Sequence, residues 1–172
     1  MGGKQEVFNQ KEVNEYFSRI SAKTLRHWGQ MQLYGWTYEF KDKRGVHRQY
    51  ELANLYQVAL VEQLSDLNIP ITVIREIMAQ HFCSGMRMSE LRNRPLPNIA
   101  SQMDKLLVIE KIFTWTDDFI WTPDEVTGIK KIDWHPFLVD EGEVTLRERG
   151  GITVVIKLSA LKNFVDSLIR QV

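Results

Sequence analysis

The chain has 172 residues, of which 44% are hydrophobic, and its 22 basic and 22 acidic side chains balance at neutral pH. This length is enough for a buried core in one ordinary domain or two small ones. No apolar run of about 18 residues and no apolar leader stretch is present, which argues against membrane and secreted proteins. A single cysteine, Cys83, excludes internal disulfides. We therefore expect a cytoplasmic protein.

Positive charge is concentrated near the N-terminus. Residues 1–50 carry nine Lys and Arg against five Asp and Glu, whereas residues 51–172 carry 13 against 17. Between residues 19 and 50 there are seven basic and two acidic side chains. A basic module on a mildly acidic remainder is typical of a protein that binds nucleic acid with one part only. A solvated charged face is the ordinary alternative.

Two short helices are predicted at the start of the basic region. The first has an apolar stripe that ends at Phe17, and Asn9 is placed to cap its N-terminus. After a turn, the hydroxyl of Ser21 is placed to cap a second helix over residues 21–28, SAKTLRHW. Two short helices joined by a tight turn are typical of a helix-turn-helix, whose second helix lies in the major groove of DNA.

A β-hairpin is predicted over residues 38–50. Apolar and aromatic residues alternate on either side of the basic segment KDKRG, in which Gly45 suits a turn position that needs a positive φ angle. A basic hairpin after a helix-turn-helix is typical of a wing.

Two longer helices follow, with apolar residues at the spacing of a stripe that faces a core. Asn68 is predicted to end the first of them. Pro70 is predicted to begin the second, where its missing N–H is no loss. We assign these helices a structural role only.

The order of these features resembles the MerR-type transcriptional regulators. TLRHW (24–28) is similar to that family's Thr-Leu-Arg-aromatic-aromatic recognition helix, with His27 and Trp28 where two tyrosines are usual. GVHRQY is similar to the Gly-x-Arg-x-Tyr end of the family's wing, with Arg48 and Tyr50 in register.

The resemblance continues through the helix pair that follows, since LYQVALVEQLSDLNIPITVIREIM (55–78) is similar to the corresponding family segment. It covers residues 6–80 and implies a winged helix-turn-helix that binds double-stranded DNA. One departure concerns the family's Gly-Leu pair after the recognition helix, which is Gln32 and Leu33 here, with no proline soon after. The turn into the hairpin is therefore expected to differ.

Side chains of the recognition helix are expected to reach base edges, and those of the wing to reach phosphates. Arg26 is the first choice, because a guanidinium pairs with two acceptors such as guanine O6 and N7. Thr24 either contacts DNA or only caps the helix locally, and Trp28 is expected in the core. The expected DNA-binding residues are Lys23, Thr24, Arg26, His27, Lys41, Lys43, Arg44, His47, Arg48 and Tyr50.

The position of Tyr50 has two interpretations. The resemblance implies that the Tyr50 hydroxyl and the Arg48 guanidinium contact phosphate. Strand alternation equally allows Tyr50 to pack inside.

The predicted domains are a DNA-binding domain at residues 1–82, a linker with proline and glycine at 83–98, and a small effector or dimerisation domain at 99–172. Residues 99–115 fit either a dimerisation helix, which the resemblance implies in this region, or a buried strand. The predicted fold class is α+β, with a mostly helical N-terminal winged helix-turn-helix followed by a small C-terminal α+β domain.

The C-terminal part of that second domain has a clearer pattern. KKIDWHPFLV is predicted as strand, and a further hairpin is predicted to turn at Gly150 and Gly151. Ser159 is then predicted to cap a final amphipathic helix that covers the strands.

Six aromatic residues lie close together in the second half of the sequence. Such a cluster is able to line a pocket for a flat or cationic ligand, as in family members that sense drugs. A compact core or a dimer interface is the favoured interpretation. The residues are Phe113, Trp115, Phe119, Trp121, Trp134 and Phe137.

The sequence holds no pattern of an enzyme or of a metal site. The phosphate-binding loop, the zinc-protease helix and the nucleophile-elbow motif do not occur. His81 and Cys83 are close in sequence, but no third ligand accompanies them. We expect no catalytic residues, no metal and no cofactor.

The expected function is that of a sequence-specific, double-stranded-DNA-binding transcriptional regulator. We expect a homodimer, because one short recognition helix reads too few base pairs, with RNA polymerase and a small-molecule effector as further partners and no membrane. The alternative is a phage or plasmid accessory module that binds DNA or a protein partner without sensing a ligand.

Overall fold

The computed structural model describes six segments of the chain, residues 7–35, 37–41, 45–82, 99–115, 129–140 and 151–170. Their residues form two compact units. The first holds the described residues up to Met103 together with those from Ser159 onward, and the second runs from Asp104 to Leu158. Helices and small antiparallel sheets occupy separate stretches of chain, so the fold class is α+β, as predicted.

The first unit opens with strand β1 (Val7–Asn9) and helices α1 (Gln10–Tyr16) and α2 (Ala22–Gln30). Asn9 begins α1 with a reciprocal cap, because its Oδ1 accepts from the N–H of Glu12 at 3.1 Å while the Glu12 carboxylate accepts from the N–H of Asn9 at 2.6 Å. Of the three predicted caps, Asn9 and Ser21 are confirmed, whereas Ser159 is wrong, because the final helix already begins at Leu158.

A three-stranded antiparallel sheet follows, in the order β1-β3-β2. Strands β2 (Thr37–Lys41) and β3 (Gly45–Glu51) pair as predicted for the hairpin, while residues 42–44 at its predicted tip lie outside the described residues. The sequence did not predict β1, which pairs with the other side of β3. Its Phe8 stands opposite Tyr50, so the end of the hairpin is joined to the start of α1.

Helix α3 (Leu52–Asp66) is the centre of the first unit. Every residue from Leu55 to Val61 is buried, so this stretch is covered on all sides rather than along one stripe. The helix ends where Asn68 takes a φ angle of 56°, and α4 (Ile71–Phe82) begins after Pro70. Among the residues on α4 that are buried are Ile74, Ile77 and Met78.

The C-terminal helix α5 (Leu158–Arg170) changes the predicted domain organisation. We predicted that it covers the strands of a domain at 99–172, but from Ser159 onward it groups with the N-terminal unit, as do residues 99–103. The Tyr56 hydroxyl on α3 donates to Asp166 Oδ1 on α5 at 2.7 Å, and Lys162 Nζ donates to Asp166 Oδ2 at 2.7 Å. A contact between residues 110 positions apart cannot be read from local periodicity.

The second unit contains a sheet in the order β5-β4-β6, formed by β4 (Lys105–Trp115), β5 (Ile129–Asp140) and β6 (Gly151–Lys157). Of the two interpretations of residues 99–115, the strand is confirmed and the dimerisation helix is wrong, since a short 3-10 turn (Ile99–Gln102) leads into β4. The first arm of the predicted hairpin at Gly150 lies outside the described residues.

The Tyr56–Asp166 hydrogen bond predicts a measurable part of the stability of the first unit. Replacing Tyr56 with Phe keeps the buried ring and removes the hydroxyl. We expect the free energy of unfolding in urea to fall by about 1–2 kcal/mol, because the bond has a charged acceptor. The exposed carboxylate of Asp104 offers a control, as Asp104→Asn should leave stability nearly unchanged.

The stabilisation that the Tyr56–Asp166 hydrogen bond provides should depend on pH. Burial opposes ionisation of Asp166, but hydrogen bonds from Lys162 and Tyr56 and the nearby Lys162 and Arg170 charges outweigh it and lower its pKa. A lowered pKa gives stability that is present above the unfolded value of about 4 and is lost as pH falls through the folded pKa. The cost of Tyr56→Phe should therefore shrink below about pH 4, and an equal cost at pH 7 and pH 2.5 would contradict this assignment.

Candidate nucleic-acid interface

Helix α2 divides its residues into a buried face and a basic face. Leu25, Trp28 and Gly29 are buried, whereas Lys23, Arg26 and His27 are exposed. Positions three and four apart lie on one side of a helix, so the exposed basic groups form a continuous strip. The helix holds no acidic residue. The prediction that Trp28 belongs to the core is confirmed, since its side chain is 7% exposed.

The N-terminus of α2 is held by two hydroxyls. Ser21 Oγ accepts from the N–H of Thr24 at 3.0 Å and lies 2.8 Å from Thr24 Oγ1. Thr24 is half-buried, and the contact of its hydroxyl with the Ser21 hydroxyl favours the local one of its two interpretations.

Tyr34 stabilises the centre of α2 by a hydrogen bond to its backbone. Its hydroxyl donates to the Leu25 carbonyl at 2.7 Å, and its ring lies 6.1 Å from the ring of Tyr50 between centroids. Burial, followed by the proximity of Tyr50, raises the pKa of Tyr34 well above its usual range, while the Arg48 charge acts in the opposite direction. The hydroxyl thus stays protonated and keeps donating to α2 at any physiological pH.

Tyr50 is the clearest correction to the predicted set. Its side chain is fully buried, and its hydroxyl donates to Gln10 Oε1 on α1. The predicted phosphate contact is therefore wrong, and the alternative that strand alternation allowed is the observed one. Arg48 is partly exposed and remains a candidate, with its charge close enough to influence Tyr34.

The other predicted hairpin residues are described only in part. The backbone places Lys41 opposite Gly45 and His47 opposite Glu39, while the side chains of Lys41 and His47 are not among those the structure describes. Lys43 and Arg44 lie outside the described residues.

The turn after α2 keeps the geometry that a glycine would give. Gln32 has a φ of 60°, its N–H donates to the Gly29 carbonyl at 3.0 Å, and the N–H of Leu33 donates to the Trp28 carbonyl at 3.1 Å. This is the Schellman arrangement that ends many helices. The chain thus adopts the left-handed conformation at Gln32 without a glycine.

Sequence reasoning missed Gln57, a polar residue in the buried part of α3. Its Oε1 accepts from the N–H of Gly35 at 2.8 Å, just before the hairpin. The signal was present, because a glutamine interrupts the otherwise apolar run LYQVALV.

Of the six aromatic residues in the second half of the sequence, Trp134 and Phe137 on β5 are the two whose side chains the structure describes. Trp134 stands opposite Lys111 and Phe137 opposite Val108, both on β4. Side chains three positions apart on a strand point to opposite faces of the sheet, so these two rings cannot line one cavity. The side chains of Phe113 and Trp115 are not described, and Phe119 and Trp121 lie outside the described residues.

In the described segments, no group of three or more His, Cys, Asp or Glu side chains is arranged to hold a metal ion. No helix in the described part of the chain has both the length and the apolar character to cross a bilayer. No model of a known protein family matches the chain, and no curated protein matches it.

The turn at Gln32 predicts a stabilising substitution. A non-glycine residue in the left-handed region costs about 1–2 kcal/mol, a cost that glycine avoids. We expect Gln32→Gly to raise the free energy of unfolding by about 0.5–1 kcal/mol in urea denaturation.

Asn68 provides the matched control, because it ends α3 with the same pair of backbone bonds and a φ of 56°. Asparagine tolerates this conformation better than glutamine, so Asn68→Gly should gain less. A larger gain at position 68 than at position 32 would contradict this account.

Proposed function

We propose that this protein is a sequence-specific regulator of transcription that binds double-stranded DNA through a MerR-like winged helix-turn-helix. In this proposal, α1 and α2 are the two helices of the motif, α2 enters the major groove, and the β2–β3 hairpin is the wing. The observation that carries the proposal is the division of α2 into a tightly held buried face and an exposed strip whose charged groups are all basic.

The proposed DNA contacts of α2 differ from those of the hairpin. Arg26 is exposed near the middle of α2, where a guanidinium is able to pair with both acceptors of a guanine edge. Lys23 lies one turn earlier and suits a phosphate. Of the pair Arg48 and Tyr50, the proposal keeps only Arg48 on β3 as a phosphate contact, because Tyr50 is buried. It also keeps Lys41, Lys43, Arg44 and His47 as expected contacts with the DNA backbone.

The proposal includes a homodimer that acts on a two-fold symmetric site in the cytoplasm, with RNA polymerase as the partner of the bound complex. Nine residues of α2 extend about 13 Å along the helix axis, which covers only a few base pairs. A second copy doubles the sequence that is read. A small-molecule effector stays a further partner in the proposal, although the two described aromatic side chains, Trp134 and Phe137, point to opposite faces of their sheet.

The first test is the affinity for DNA as a function of salt. We would select the tightest duplex from a random library and measure its dissociation constant between 50 and 200 mM salt. Each phosphate neutralised contributes about −0.9 to the slope of log affinity against log salt. We expect a steep negative slope, and an affinity that does not change with salt would contradict the proposal.

Arg26→Ala should weaken binding to the selected duplex roughly tenfold or more, since one bidentate base contact is worth about 1–3 kcal/mol. It should also relax the sequence preference at one position of the site. Arg75→Ala is the matched control, because it removes the same exposed charge from α4, outside the proposed interface. Equal losses for both variants would show only a general effect of net charge.

The dimer makes a separate prediction. The selected duplex should contain an inverted repeat with half-site centres about 34 Å apart, and sedimentation should show two chains per duplex. A selected site without a repeat that binds one chain would contradict the dimer while leaving the α2 contacts intact.

A further inference from the structure

Gln57 is the buried polar side chain of the described core, with 7% of its surface exposed. An amide in such a place costs free energy unless its atoms find partners. An apolar residue at this position would continue the buried run of α3 without that requirement. The role of the Gln57 amide therefore depends on the groups to which it is hydrogen-bonded.

Its partners lie in the segment before β2, on α3 itself and at the end of α4. Oε1 accepts from the N–H of Gly35 at 2.8 Å and from Asn54 Nδ2 at 3.3 Å, and Nε2 donates to the Phe82 carbonyl at 3.2 Å. Gly35 lies two residues before β2, and Phe82 is the last residue of α4. One side chain thus joins the start of the hairpin to the end of α4.

The network also reaches the other strand of the hairpin. Asn54 Oδ1 accepts from the N–H of Glu51, the last residue of β3, at 2.8 Å. Both roots of the hairpin are therefore connected to Gln57, one directly and one through Asn54. The space is filled closely, since a Cβ added at Gly35 would lie 3.0 Å from Asn54 Nδ2.

We propose that Gln57 is the positioning residue of the hairpin. Its amide fixes the two hairpin roots against the end of α4, and through them it fixes how the hairpin meets the DNA backbone. The second part rests on the proposed function. Gln57 itself is buried and makes no contact with DNA, so its effect on binding has to pass through the hairpin.

The test begins without DNA. Gln57→Met keeps a similar shape and removes the hydrogen bonds, and Gln63→Met makes the same change at an exposed position of α3. We would measure backbone amide hydrogen exchange by NMR under native conditions. In Gln57→Met, exchange at Gly35 and in the β2–β3 pairs should accelerate about tenfold or more, while amides of α2 and α3 change less than about twofold.

Unchanged exchange in the hairpin would overturn the proposal, and so would an equal acceleration throughout the unit, which would mean general destabilisation. Gln63→Met should change neither region, and a hairpin response to it would also count against Gln57. Should Gln57→Met not fold, Gly35→Ala perturbs the same network at its other end, and the same selective acceleration of the hairpin is expected.

A double-mutant cycle then tests the link to DNA. The quadruple variant Lys41→Ala, Lys43→Ala, Arg44→Ala and Arg48→Ala removes the Lys and Arg side chains of the hairpin that are proposed to contact DNA. If Gln57 acts through the hairpin, adding Gln57→Met to this variant should change affinity less than about twofold, although Gln57→Met alone weakens binding by about as much as the quadruple variant. Losses that multiply would overturn this route.

The two proposals fail differently. If the unaltered protein does not bind duplex DNA, the proposed function fails, and the exchange measurement still decides whether Gln57 positions the hairpin. If DNA binds with a steep salt dependence but hairpin exchange ignores Gln57, only the positioning role fails.

Discussion

The burial of α3 on all sides constrains every other element of the first unit. A helix covered along one stripe leaves its polar residues in water, but between Leu55 and Val61 α3 has no exposed side. Each polar group that it carries there must find its partner inside the protein. The hydroxyl of Tyr56 meets α5 and the amide of Gln57 meets the hairpin root and α4. The polar atoms of two adjacent residues thus fix how three further elements pack.

The contacts that stabilise α2 are separate from the exposed strip that is proposed to bind DNA. Helix α2 has only nine residues, too short to be stable alone, so its order comes from the cap at Ser21, the bond from Tyr34 to its backbone and the burial of Trp28. None of these contacts uses the side chains of Lys23 or Arg26. If the exposed strip binds DNA as proposed, substitutions of Lys23 or Arg26 change the contacts with DNA and leave the contacts that stabilise the helix unchanged.

Features that depend on neighbours in sequence were predictable, and features that depend on distant partners were not. The caps at Asn9 and Ser21 follow from residue type and position, and both were found. The inward orientation of Tyr50 was one of two equal outcomes, because alternation fixes which residues share a face but not which face is buried. The docking of α5 depends on a partner 110 residues away. The opposite orientation of Trp134 and Phe137 was also predictable, since an odd spacing on a predicted strand places two side chains on opposite faces.

The docking of α5 on α3 requires a long loop of the chain to be closed. The chain leaves this unit after Met103 and returns at Ser159, and closing an unstructured loop of that length would cost about 3.5 kcal/mol. That is more than the bond between Tyr56 and Asp166 supplies. Within the second unit, however, Leu106 on β4 pairs with Lys157 on β6, so the sheet brings the two connections side by side. Because pairing of β4 with β6 closes most of this loop, the entropic cost of bringing α5 back to α3 is smaller when the sheet is folded.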